Sequence, residues 1–212
     1  AYAPGYQVTF ALMLPSAIIT CTLTTRLKDH AKMSAQAAFR TKILFDTNQL
    51  LQRAKSEEEI LSQTASQLMK LLNRSLIVYP EQNGDLGSEQ VFEIDGEVPC
   101  NIFSAPEERD AANWTFANKK RSGAGTDSCP DAKGLYLALR TGGGVFGVIG
   151  IDLSEKPLDA FENSVLLSIL GEGALAIENR RNALEKEQAA LQARNEELRA
   201  NLLRTISHDL RT

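Results

Sequence analysis

The 212-residue sequence has little of what would staple a fold or hold a metal. Its three cysteines, Cys21, Cys100 and Cys129, are far apart, odd in number and never in Cys-x-x-Cys spacing. That excludes a disulfide framework and a zinc site and points to free thiols in a reducing cytoplasm. It also lacks a basic excess: the net charge is -4 with 24% charged residues, so no direct nucleic-acid partner is expected. Glycines gather at 123–125, but Pro130 and a strand pattern follow, where a phosphate-binding loop needs a helix with a lysine in register, so a P-loop is disfavoured. Histidine is scarcest, with only His30 and His208. No initiator methionine opens the chain and its final motif is cut short, so it is expected to be part of a longer protein.

Residues 1–25 carry no charge, and 6–25 form an apolar run of about 20 residues, long enough to cross a hydrocarbon core of about 30 Å as a helix. Arg26, Lys28, Lys32, Arg40 and Lys42 follow against a single Asp29, and this basic flank predicts that the C-terminal side is cytoplasmic. A secretory signal peptide would carry its charge before the apolar run. Pro15 and the threonines weaken the span, and a buried helix of a soluble domain is the alternative.

From 31 to 54 the apolar residues keep a helical rhythm unbroken by glycine or proline, as in a helix continuing out of the membrane. Ser56 and Glu59 have capping-box spacing, so a second helix starts there, with Ile60, Leu61, Leu68, Leu71 and Leu72 on its buried face. Extended segments are predicted at 75–79, 90–94, 134–141 and 144–153, with a short helix at 106–120. Gly142-Gly143 is read as a tight turn at positive φ joining the last two strands. The sum is an α+β pattern.

Asp159 is a plausible cap for a last long helix, in which Leu170, Ile177, Leu184, Leu191 and Leu198 recur every seven residues. Such a seam can be buried only against a partner helix, which predicts a coiled coil. The intervening positions, Ala174, Arg181, Gln188, Asn195 and Leu202, are mostly polar, so the pairing is expected to be weak and parallel, with Asn195 fixing register. Near its end stands His208-Asp209-Leu210-Arg211-Thr212. An imidazole near its unperturbed pKa is a competent nucleophile toward a phosphoryl group, and the Asp209 carboxylate is a candidate general base. A solvated His-Asp pair on a fraying helix is the alternative.

The box His-Asp-Leu-Arg-Thr resembles the phosphoacceptor motif of sensor histidine kinases, and the order of elements from 56 to about 179 is similar to a GAF domain, an antiparallel sheet with flanking helices. The run WTFANKKRSGAGTDSCPDAKGLYLALRTGGGVFGVIGI at 114–151 resembles the GAF domain of the KdpD family of potassium-sensing (osmosensitive) sensor histidine kinases, departing from it at Cys129, where an aliphatic residue is expected, and at Ala138, where a proline is expected. The resemblance divides the chain into a last transmembrane helix at 1–28, a juxtamembrane helix at 29–55, a GAF domain at 56–172, a signalling coiled coil at 173–200 and the start of the dimerisation and phosphotransfer domain at 201–212.

What this resemblance implies is a homodimer in the cell inner membrane with its GAF domain and His208 helix in the cytoplasm. His208 would be phosphorylated from ATP and Mg by a catalytic domain of the parent protein. The phosphoryl group would pass to an aspartate of a response regulator of the KdpE type that controls potassium uptake. This chain carries no nucleotide-binding domain, so by itself it is expected to bind no cofactor and to be inactive. A GAF small-molecule sensor coupled to another output is the alternative. Trp114, Phe116 and Tyr136, with Thr126 and Asp127 in a glycine-rich lid, are the candidate GAF pocket, although aromatics at such spacing are core more often than ligand contacts. Neither a cyclic-nucleotide pattern nor a bilin attachment site is recognisable.

Overall fold

The computed structural model describes the backbone of residues 5–94 and 101–209, and the side-chain surroundings of these except at 5–22, 25, 29, 30, 101, 202 and 204–209. Contacts divide the chain into two compact units, Ala1–Asp46 and Thr47–Thr212.

The first unit is helical. Helix α1, Gly5–Leu51, runs through Pro15 without a break, and Leu23, Leu27, Met33, Phe39 and Phe45 are exposed. The side chains of the expected membrane span at 6–22 lie outside the described residues, as does Cys100. The last turn of α1 belongs to the second unit, where Thr47, Leu51 and Ala54 are buried and Asn48 Nδ2 donates to Glu172 at 3.0 Å.

Helix α2, Glu57–Leu72, begins where the capping box places it: Ser56 Oγ accepts from the Glu59 amide at 3.1 Å. Glu59 Oε2 in turn accepts from the Lys55 amide at 2.7 Å. Three glutamates in its first turn complement the helix dipole, and Asn73, in the left-handed region at φ 51°, ends it. Ile60, Leu61, Leu68 and Leu72 are buried as expected, and Leu71 is half-buried.

Strands β1 (Leu76–Gln82), β2 (Asp85–Leu86) and β3 (Gln90–Phe92) follow. After a 3-10 turn at Asn101–Ser104 come α3 (Pro106–Asn118), β4 (Ser122–Gly123), β5 (Gly134–Arg140) and β6 (Val145–Asp152). The six strands form one antiparallel sheet in the order β2-β1-β6-β5-β4, with β3 also paired to β1. One predicted feature changes. Gly142 and Gly143 are not at positive φ: a four-residue loop joins Arg140 to Val145, closed by Thr141 N–H to the Gly144 carbonyl at 3.0 Å and by Gly143 N–H to Thr141 Oγ1 at 3.1 Å. The tight turn is instead at Asn83-Gly84, with φ of 55° and 90°, the type I′ geometry that two-residue hairpins favour.

Helix α4, Ala160–Asp209, opens with its own capping box, in which Glu162 N–H donates to Asp159 Oδ1 at 2.7 Å and Asp159 N–H to Glu162 Oε2 at 2.8 Å. Helices α2 and α4 cover one face of the sheet and α3 the other. Among the described residues one helix, Ala160–Asn201, is long enough to cross a membrane and contains an 18-residue window apolar enough to do so, with a mean hydropathy of 1.3. Its apolar residues Val165, Leu166, Ile169 and Ala174 are wholly buried, so its first turns belong to the core of this unit.

Candidate functional site

On the α3 side of the sheet, strand alternation sends Ile77, Tyr79, Tyr136 and Val148 into one cluster with Phe103, Ala111 and Ala112, and Phe116 packs against it. Tyr136 is fully buried, and its hydroxyl donates to Glu108 Oε2 at 2.8 Å. Glu108, only 2% exposed, also accepts from the Lys133 and Gly134 amides at 2.6 and 3.1 Å. Burial, then the Glu108 bond, pushes the Tyr136 hydroxyl well above its ordinary range. Tyr79, capped by the Arg109 guanidinium 4.8 Å above its ring, is pushed up to about 12, chiefly by burial. Of the residues expected to line a pocket, Tyr136 is therefore core, and Phe116, half-buried, packs against it.

Trp114, Thr126 and Asp127 do come together, at a groove of about 650 Å³ outside that core. Its walls are the end of α3, the 119–128 segment, the second half of β5 and the first turns of α4. The glycine-rich run is ordered by its own bonds: Thr126 Oγ1 lies 2.7 Å from the Gly123 carbonyl oxygen and 2.8 Å from that of Ser128. Gly123 sits at φ 90°, and a side chain there would collide with the Gly134 carbonyl oxygen. Cys129, where the resemblance led us to expect an aliphatic residue, is a half-buried free thiol at φ 53°. The sequence reading missed the cations of this groove, Lys119, Lys120, Arg121 and Arg140, although the run Lys-Lys-Arg directly after a predicted helix was the available signal.

Where α4 leaves the sheet, Arg181 joins three elements. Its guanidinium meets Glu57 of α2 at 2.8 Å and Glu81 of β1 at 3.0 Å, and stacks 5.0 Å from the Phe146 ring centre of β6. The Glu57 bonds hold Arg181 above its already high ordinary pKa. The heptad seam consequently divides: Leu170 and Ile177 are 5% and 0% exposed, spent in the chain's own core, whereas Leu184, Leu191 and Leu198 are 41%, 56% and 54% exposed. The backbone of His208 and Asp209 continues α4; their side chains, and residues 210–212, lie outside the described residues. Among the described residues no cluster of three or more His, Cys, Asp or Glu is placed to hold a metal.

No protein-family model matches the chain. Against curated proteins, it is 33% identical over 212 residues to the sensor protein KdpD of Clostridium acetobutylicum, covering 100% of this chain and 24% of that one. From end to end, the chain is similar to the KdpD sensor proteins. KdpD of Escherichia coli K12 is 28% identical over 211 residues, which cover 98% of this chain and 22% of the relative. The chain thus spans about a quarter of the length of these KdpD relatives. Among solved structures it is similar to the GAF domain of the potassium sensor histidine kinase KdpD from Escherichia coli, with a TM-score of 0.51 and 22% identity over 71% of this chain and 99% of that one. A GAF domain from Pseudomonas syringae pv. tomato gives a TM-score of 0.51 at 19% identity, over 75% and 97%. The second unit has the GAF fold.

Proposed function

We propose that this chain is the membrane-proximal, sensory and phosphoacceptor segment of a KdpD-like sensor histidine kinase. The match to the Clostridium relative over the full length carries this reading, because it joins in one alignment the apolar N-terminal run, the GAF fold and the His208 box. Helix α4 supports it physically: its backbone runs unbroken from the GAF core to His208, so a shift in its first turns has a continuous path to the phosphoacceptor. In this reading residues 6–25 cross the membrane with Arg26 and Lys28 on the cytoplasmic side. Leu184, Leu191 and Leu198 pair with a second copy, and His208 takes a phosphoryl group from Mg-ATP held by the parent's catalytic domain. Asp209 takes up the ring proton, and a response regulator of the KdpE type receives the phosphoryl group to control potassium uptake.

Phosphoryl transfer depends on a positioned nucleophile, and His208 is the nucleophile assigned here. In the full-length parent, His208→Gln abolishes phosphate incorporation from ATP, and His30→Gln leaves it intact. Asp209→Asn slows it by about 10² to 10⁴ if the carboxylate works as general base. The labelled product is acid-labile and alkali-stable, as a phosphoramidate should be. Undiminished labelling of the His208→Gln protein refutes the assignment.

A further inference from the structure

Trp114 is the only tryptophan of the chain, and it stands half-buried in the wall of the 650 Å³ groove. Four cations surround the same space. Helix α3 ends at Lys119, whose left-handed φ of 57° reverses the chain, so Lys119, Lys120 and Arg121 pass along the groove before β4 begins. Arg140 reaches it from the end of β5. All four are exposed, and none is ion-paired among the described residues. Asp127 is the one carboxylate among the lining residues and leaves the balance strongly cationic.

The groove has a reason to stay open. Strand β4 pairs with β5 only at Leu135 and Tyr136, so among the described residues the edge of β5 beyond Tyr136 carries no further strand, and α4 approaches it with Leu167, which is 52% exposed. The volume falls within the roughly 300–1,000 Å³ typical of small-molecule sites. Unpaired cations crowded beside low-dielectric walls repel one another, and a multiply charged anion relieves that repulsion. Arginine forks match phosphate oxygens two at a time, and a tryptophan face accepts a planar ring.

We propose that this groove binds a small organic polyphosphate, with its phosphates held by Arg121, Arg140 and the neighbouring lysines and its planar ring laid against Trp114. The site is separate from the aromatic core on the α3 side, and it does not rest on the phosphoacceptor reading, because binding is measured without phosphate transfer.

The single tryptophan makes the test specific. The 212-residue chain in detergent micelles is titrated with ATP in the absence of magnesium, exciting Trp114 at the red edge of its absorption. Saturable quenching is expected, weakening as salt rises, and tripolyphosphate alone displaces the nucleotide. The double variant Arg121→Glu, Arg140→Glu binds at least tenfold more weakly. Arg53→Glu, an exposed charge change away from the groove, leaves the affinity unchanged. Absence of saturable quenching, or equal affinity in the double variant with its circular dichroism unaltered, overturns the proposal.

Discussion

Glu108 carries three hydrogen bonds in a nearly sealed space: two backbone amides at the head of β5 and the Tyr136 hydroxyl all donate to its carboxylate. A buried donor left without a partner costs about 1–3 kcal/mol, so Glu108→Ala, which strands all three, is expected to destabilise the GAF unit by about 3 kcal/mol or more. Tyr136→Phe leaves Glu108 its two amides and costs about 1 kcal/mol. Urea titrations of both single variants and the double variant check this through their coupling; a Glu108→Ala protein within 0.5 kcal/mol of wild type would contradict it. Gly150 belongs to the same arrangement, since a side chain there would strike the Tyr136 ring. Nothing in the sequence separates Glu108 from its neighbour Glu107. Only the turn of α3 that faces β5 does so. Likewise the aromatic residues were legible as apolar, but which of them faced solvent was not.

At the scale of elements, Arg181 holds the exit of α4 against α2, β1 and β6. Half-exposed ion pairs contribute roughly 0.2–1 kcal/mol each and a cation-π contact roughly 0.5–1, so Arg181→Met is expected to cost about 1–2 kcal/mol. The cluster also gives a pH dependence. The Gly84 amide foremost, and then Arg181, hold the Glu81 carboxyl below its ordinary value of 4.5. With the folded pKa lower than the unfolded one, this stabilisation is fully present above pH 4.5 and is lost as pH falls through the depressed value. Denaturant midpoints measured from pH 6 down to pH 3 should therefore fall less steeply for Glu81→Gln than for wild type. An unchanged slope would show that Glu81 is not part of the clasp. The capping box at Ser56 and the cap at Asp159 were readable because they are local; that Glu162 completes a second box only the structure showed. The β1-β2 hairpin was readable in principle from Asn83-Gly84, but strands of two residues leave no periodicity to detect.

For the whole molecule, the exposed half of the seam predicts assembly. Cysteine substituted at Leu191 should crosslink to Leu191 of a second copy in a parallel dimer, and Asn195→Leu should tighten that dimer while loosening its register. Crosslinks found only between positions that an antiparallel pair would bring together contradict the arrangement. The sequence by itself determined the order of the main elements, both long helices, the main strands and the heptad seam, because each is written along one segment: 3.6 for helices, 2 for strands, 7 for the seam. Tertiary structure alone decided how those patterns are used. Leu170 and Ile177 carry the same heptad mark as Leu191 and Leu198, yet the first pair fills the chain's own core and the second is exposed. Tyr136 and Trp114 are both large aromatics of the same segment, yet one is sealed over Gly150 and the other borders a cationic groove. Periodicity states that a face is apolar; what covers that face depends on segments distant in sequence, and only folding brings them together.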